Sequence, residues 1–314
     1  MTRFGKLAVG TVVATLVLIG LGGFVRAMEA GLGCPDWPTC HGALQPPNSL
    51  AWGDLKLAWI EHSHRLWASV LSVLVVTLAV AAKRTAQPRN VRRMAYGSVA
   101  AVGAQALLGA YVVWQKLDAD LVTLHLAGAL TVLAVTTYVA LHATGHGRAA
   151  LVPGTPGLAP FALGTLGVTL FQMLLGSAVT GYSAGLAYGT FPSFNGRVLP
   201  PAMENVQQVL HVWHRVTAYV VVGLVVALFV KTRHSEPLVR RAAAVALVLA
   251  GVQVTLGALN VWFKLRPWSV TPHLAVGSWL VLALLVVAMR ARWGMRHVTV
   301  DLGDTASDAQ AVPA

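Results

Sequence analysis

The sequence predicts an all-α integral membrane protein with eight transmembrane helices, arranged as two pseudo-symmetric four-helix bundles. Three observations lead there. Hydrophobic residues make up 56% of the 314-residue chain and charged ones only 11%, whereas soluble domains carry charge on about a quarter of positions. Eight apolar runs have about the 20 residues needed to cross a bilayer. The second four runs repeat the first four, motif for motif. Helix is required, because every backbone polar group in lipid has to be satisfied within its own segment.

The first run, 7–25, follows Arg3 and Lys6 and has the charge order of a secretory signal. Its end, Leu21-Gly-Gly-Phe-Val25, matches Leu175-Gly-Ser-Ala-Val179 at the end of the fifth run, 159–180, so it is read as helix 1. The second run, 62–82, and the sixth, 207–230, carry His64-Arg65 and His214-Arg215, which repeat at an offset of 150. The third, 94–114, and the seventh, 241–262, share Gln, Leu-Gly-Ala, Trp and Lys-Leu between Gln105 and Leu117 and between Gln253 and Leu265, at an offset of 148. The fourth, 121–142, and the eighth, 270–290, carry His125 and His273 near their starts, again 148 apart. The loop Trp37-Pro-Thr-Cys-His-Gly42 answers Phe191-Pro-Ser-Phe-Asn-Gly196 at an offset of 154. Small drifting offsets are what a duplication with loop insertions leaves. The expected domains are therefore residues 1–150, residues 151–296, and a short polar tail, 297–314, read as disordered.

A net charge of +12 invites a nucleic-acid reading, and the distribution excludes it. Fifteen of the 23 Lys and Arg residues fall before helix 1, in the loops joining helices 2 to 3, 4 to 5 and 6 to 7, and after helix 8. That bias is the positive-inside pattern and puts both termini in the cytoplasm of a cell-membrane protein. Each half has four helices, so both enter the bilayer from the same side and the repeat axis runs along the membrane normal. Helices 2, 4, 6 and 8 then start at the outer face, with His64 and His125 at similar depth in one bundle and His214 and His273 in the other.

An intramembrane histidine is costly and points to function by default. One alone is readily explained as an interfacial side chain bonded to a neighbouring helix; four, paired and repeated, are not. Two imidazoles facing each other inside a four-helix bundle suit bis-histidine haem ligation. Zinc or copper suits them less, since two histidines with no third ligand make a poor closed site. Gly109-Ala110 and Gly257-Ala258 either let a flat macrocycle approach or serve ordinary helix packing. His41, His62, His142, His146, His234 and His297 are read as ordinary polar residues in or beside loops.

One position breaks the symmetry. Glu61 shares a helix face with His64, three residues on, and His211 fills the same slot before His214. Either Glu61 does chemistry in one half only, or it sits at a helix start where the dipole favours an acid. Arg65 and Arg215 are candidate partners for haem propionates or lipid phosphate. Cys34 and Cys40 lie in an outer loop on the oxidising side, where a disulfide is the default. Their Cys-x5-Cys-His spacing is not that of covalent haem attachment; a structural clip and a redox-active pair both remain open.

These residues resemble the haem A synthase family from helix 1 to helix 8. The resemblance is carried by Gly-Cys-Pro-Asp-Trp-Pro-Thr-Cys-His-Gly at 33–42, Glu61-His-Ser-His-Arg65, the Leu-His125 and Pro-His273 helix starts, and His214-Arg215. It implies oxidation of the C8 methyl of haem O to the formyl group of haem A by successive hydroxylations. It further implies that His64 and His125 flank the substrate haem, that Glu61 is the catalytic carboxylate, and that His214 and His273 ligate a resident haem b. The partners it implies are haem O, the lipid bilayer, haem O synthase and terminal-oxidase assembly factors, with a homo-oligomer as a candidate state. Two other classes stand beside it: a di-haem cytochrome b-type electron-transfer protein, and a non-catalytic haem carrier.

Overall fold

The computed structural model describes residues 1–146 and 157–308, with side chains as far as Trp293. Within them lie α1 (Arg3–Ala27), α2 (Trp52–Arg84), α3 (Arg89–Trp114), α4 (Ala119–Ala143), α5 (Leu158–Gly181), α6 (Val206–Thr232), α7 (Pro237–Trp262) and α8 (Pro267–Asp308). Each contains a stretch long and apolar enough to cross a membrane, that of α8 being Pro267–Trp293. The chain is an all-α membrane protein. The expected boundary at 150 and 151 lies outside the described residues, as does the end of the tail from 309. The backbone of α8 continues as helix to Asp308, past the apolar run that ends at 290 and into the tail from 297 expected to be disordered.

Local chemistry sets the helix starts. Thr2 Oγ1 accepts from the Gly5 amide at 3.0 Å, Asp118 from those of Asp120 and Leu121 at 3.1 Å, and Asn205 from that of Gln208 at 3.0 Å, each satisfying an otherwise orphaned donor. Pro237 and Pro267 open α7 and α8, where a missing amide hydrogen is harmless. α2 begins at Trp52, well before the apolar run at 62. Asp54, Lys56 and Glu61 lower the hydropathy there without breaking the helix, so the run marked the lipid-facing length rather than the helix itself. Pro272 likewise lies inside α8, in its second turn, rather than at its start.

Helices α1–α4 close one four-helix bundle and α5–α8 another; the two meet where α1 packs on α8, and α4 on α5 and α8. At the end carrying the α1–α2 loop, Arg26 donates to the Thr180 carbonyl (3.2 Å) and the Tyr182 hydroxyl to Asp120 (3.0 Å), tying the bundles together. At the opposite end Arg290 of α8 pairs with Glu236 and donates to the His146 carbonyl. The main apolar core lies towards that opposite end, with Phe4, Ala8, Leu78, Val91, Leu133, Leu228 and Leu284 among its members. The four histidines lie at the other end and are half-buried as residues.

Candidate bis-histidine sites

Each of the four histidines lies on an even-numbered helix and presses the edge of its ring on a glycine of the helix before it. A Cβ on Gly22 would stand 3.2 Å from His64 Cε1, on Gly109 3.2 Å from His125 Cε1, on Gly176 3.0 Å from His214 Cε1, and on Gly257 3.5 Å from His273 Cε1. Gly109 and Gly257 therefore make room for the imidazoles, a use that neither the macrocycle nor the packing reading named. Gly22 and Gly176 do the same from the matching ends of helices 1 and 5, a role the repeated sequence does not by itself reveal.

One turn before three of these glycines, at the i−4 position on the same face, stands a glutamine that reaches the same histidine. Gln105 donates to the His125 carbonyl (2.7 Å), Gln253 to that of His273 (2.8 Å) and Gln172 to that of His214 (2.9 Å). The fourth place, one turn before Gly22, holds Leu18. Among the described residues the only hydrogen-bonding side chain at any of the four rings is Gln172, whose Nε2 lies 3.1 Å from His214 Nδ1. Nδ1 of His64, His125 and His273 is buried without a partner.

The ring centres of His214 and His273 are 6.4 Å apart, with planes inclined at 72°. Two imidazoles on opposite sides of one metal, each bonded at about 2.0–2.1 Å, hold their centres roughly 6–6.5 Å apart. The pair thus fits an iron with two axial histidines. Among the described residues no three His, Cys, Asp or Glu side chains converge as a metal site. The donors come as pairs, which suits a macrocycle that brings four nitrogens of its own.

Beside each pair the structure builds a loop clasp, twice. In the first half Arg65 Nη1 donates to the carbonyls of Asp36 and Thr39, both at 2.8 Å, and Nη2 to that of Cys34 at 2.9 Å and to Glu61 at 2.5 Å. Glu61, only 4% exposed, also accepts from the Cys34 amide at 2.8 Å. In the second half Arg215 donates to the carbonyls of Tyr188 (3.1 Å), Thr190 (2.9 Å) and Ser193 (3.0 Å), and through Nε to His211 (2.9 Å). A neutral imidazole has one acceptor nitrogen, and that short contact takes it; the Tyr188 amide stands 3.3 Å from the other ring nitrogen. A carboxylate accepts from both donors, so the first-half clasp is the stronger. Both arginines hold loops, and Glu61 is a partner in the first-half clasp.

The loops correspond residue for residue. Cys34 and Cys40 form a disulfide, with Cα atoms 4.5 Å apart. Their counterparts Tyr188 and Phe194 pack edge to face at 5.1 Å. Asp36 accepts from the Thr39 hydroxyl and the amides of His41 and Gly42; Thr190 and Ser193 hydroxyls serve Asn195 and Gly196 in the same way. Burial acts to raise the pKa of Asp36, but the bonds from Thr39, Gly42 and His41 outweigh it and hold the carboxyl down at about 2. Of the histidines read as ordinary, His41 bonds the Gly33 carbonyl within this loop, and His142 stacks on Tyr138 and Trp293 at the far end. The side chain of His297 lies outside the described residues.

These features define an internally duplicated eight-helix membrane protein with one histidine pair per half. Residues 5–286 match the COX15-CtaA family, described as cytochrome oxidase assembly protein, and the chain belongs to that family. It is 27% identical over 313 residues to a Shewanella oneidensis protein named Heme A synthase, covering 88% of this chain and 93% of that one. Proteins of the same name from Paracoccus denitrificans and Caulobacter vibrioides are each 27% identical, covering 91% of this chain and 86% and 94% of theirs.

Proposed function

We propose that this chain is a haem A synthase, an oxidoreductase acting on a methyl group: it oxidises the C8 methyl of haem O to a formyl group by successive hydroxylations. Its histidine pairs divide the work. His64 and His125 hold the substrate haem in the first half; His214 and His273 hold a resident haem b in the second. The observation that carries this division is the asymmetry between the two halves of the repeat, with a carboxylate and a disulfide beside one pair and neither beside the other. A haem b between His214 and His273 supplies a one-electron redox centre. The protein's own part is to fix imidazole orientation through the glycine contacts and to close the outer face with the two clasped loops. Glu61 is the only buried carboxylate among the described residues, one turn from His64, and it is the acid that serves the substrate. The chain sits in the cell membrane with both termini cytoplasmic. Haem O synthase and terminal-oxidase assembly factors are its natural neighbours on either side of the reaction.

The deciding measurement is the mass profile of haems extracted from cells with and without the chain. Haem A is expected only where the chain is present; an identical profile in both overturns the assignment. The close symmetry of the two sites favours, as the second reading, a di-haem electron-transfer protein, which the same profile would reveal by unchanged haem A. For Glu61 the informative variant is Glu61→His, because His211 shows that the clasp can be built with histidine. It should fold, keep the haem b signal of His214 and His273, and accumulate haem O or a hydroxylated intermediate, with haem A formation down about 10²–10⁴-fold. Haem A formation at the unaltered rate would leave Glu61 with the clasp alone.

A further inference from the structure

Three of the four site histidines face a Gln-x3-Gly pair on the preceding helix: Gln105 and Gly109, Gln172 and Gly176, Gln253 and Gly257. At the fourth, Gly22 meets His64 and the residue one turn before it is Leu18. We propose that Gln172 is the positioning residue that makes the second-half site a permanent haem site, and that Leu18 in its place leaves His64 an exchangeable ligand for substrate. The inference rests on the haem assignment proposed above and adds what separates retention from turnover.

An imidazole that ligates iron through Nε2 carries its proton on Nδ1, and that N–H needs an acceptor to fix ring orientation and raise ligand basicity. Gln172 Oε1 is buried with no hydrogen-bond partner, on the amide whose Nε2 lies 3.1 Å from His214 Nδ1. A turn of the carboxamide about Cγ–Cδ that gives up the bond from Nε2 to the His214 carbonyl presents Oε1 to Nδ1–H. The amide thus holds an unused acceptor beside the one ring nitrogen that gains a proton demand on ligation. At His64 the same nitrogen is buried and unpartnered, and Leu18 packs against the apolar cluster of Ala14, Leu71, Val75, Val102 and Val132. It has nothing to offer an N–H. A ligand without that support is weaker, which suits a substrate that enters and leaves as product.

The test uses the full chain purified in detergent. It follows the loss of haem b from the second half, and of added haem O from the first, to excess apomyoglobin, with the reduction midpoint of the haem b measured alongside. Gln172→Leu should release haem b about 10–100-fold faster and raise its midpoint. Gln172→Glu, which keeps an acceptor and strengthens it, should restore slow release with a midpoint below that of the unaltered chain. Leu18→Gln should slow release of haem O. Unchanged release and midpoint in Gln172→Leu overturns the proposal. Should that variant not accumulate, unslowed release of haem O from Leu18→Gln overturns it. A His214→Ala control separates the two claims: if that variant keeps the haem b spectrum, the haem assignment fails rather than the role of Gln172.

Discussion

A hydrogen atom where other residues carry a methyl lets each imidazole lie against the neighbouring helix, and the four contacts are not equally tight. A Cβ at Gly176 would come to 3.0 Å of His214, closer than the ring can tolerate in place, whereas one at Gly257 would meet His273 at an ordinary 3.5 Å. Overpacking a filled site costs about 1–3 kcal/mol, enough to displace the ring. Gly176→Ala should therefore lose most of the low-spin haem b absorbance, while Gly257→Ala stays close to the unaltered protein. Equal losses in the two variants would mean that ring contact is not what these glycines provide. Both glycines are visible in the repeat; which atom each one meets is not.

The α1–α2 and α5–α6 loops show that one shape is reached by two chemistries. A disulfide in the first half and an edge-to-face aromatic pair in the second fill the same positions, while the arginine clasp is common to both. Closing a loop of this size by a disulfide stabilises by about 2 kcal/mol. Removing one partner of a buried ion pair costs about 3–5 kcal/mol, because the other charge is left uncompensated. Arg65→Ala strands Glu61 in that way, so it should open the loop to limited proteolysis at a lower temperature than Cys34→Ser combined with Cys40→Ser. The reverse order would make the disulfide, not the clasp, the main restraint. If the cysteine pair proves dispensable for stability yet needed for haem A formation, its role is redox rather than structural.

At the scale of the molecule, charge and packing divide the two ends. The helix ends at Arg3 and Lys6, Lys83 to Arg93, Lys231 to Arg241, and Arg290 and Arg292 are basic, and the main core lies towards them. Arg148, assigned to the same face, lies outside the described residues. The opposite end carries the disulfide, both clasps and the four histidines. Positive residues are retained on the cytoplasmic side, so a reporter fused after residue 314 should be active only if it functions in the cytoplasm, and one inserted in the disulfide loop only if it functions outside. An externally active carboxyl-terminal fusion would invert the topology, and with it the claim that the histidine pairs lie near the outer face.

Much of this protein is legible in its sequence because membrane insertion and duplication both write periodic signals. Apolar length gives the eight helices, alternating basic loops give the expected sidedness, and the drifting offsets of 148, 150 and 154 single out His64, His125, His214 and His273. The pairing of Cys34 with Cys40 follows from their closeness in one loop. What the sequence left open concerns partners. Spacing by three or four residues says that Glu61, His64 and Arg65 share a stretch of helix surface, but not which neighbour that surface meets. Only the tertiary structure decided that Arg65 and Arg215 turn to loop carbonyls, that Glu61 joins the clasp, and that glutamines reach the carbonyls of three of the histidines. Helix periodicity is a property of one segment, whereas a hydrogen bond between segments depends on how two helices are rotated and slid against each other, and that is set by the packing of the whole bundle.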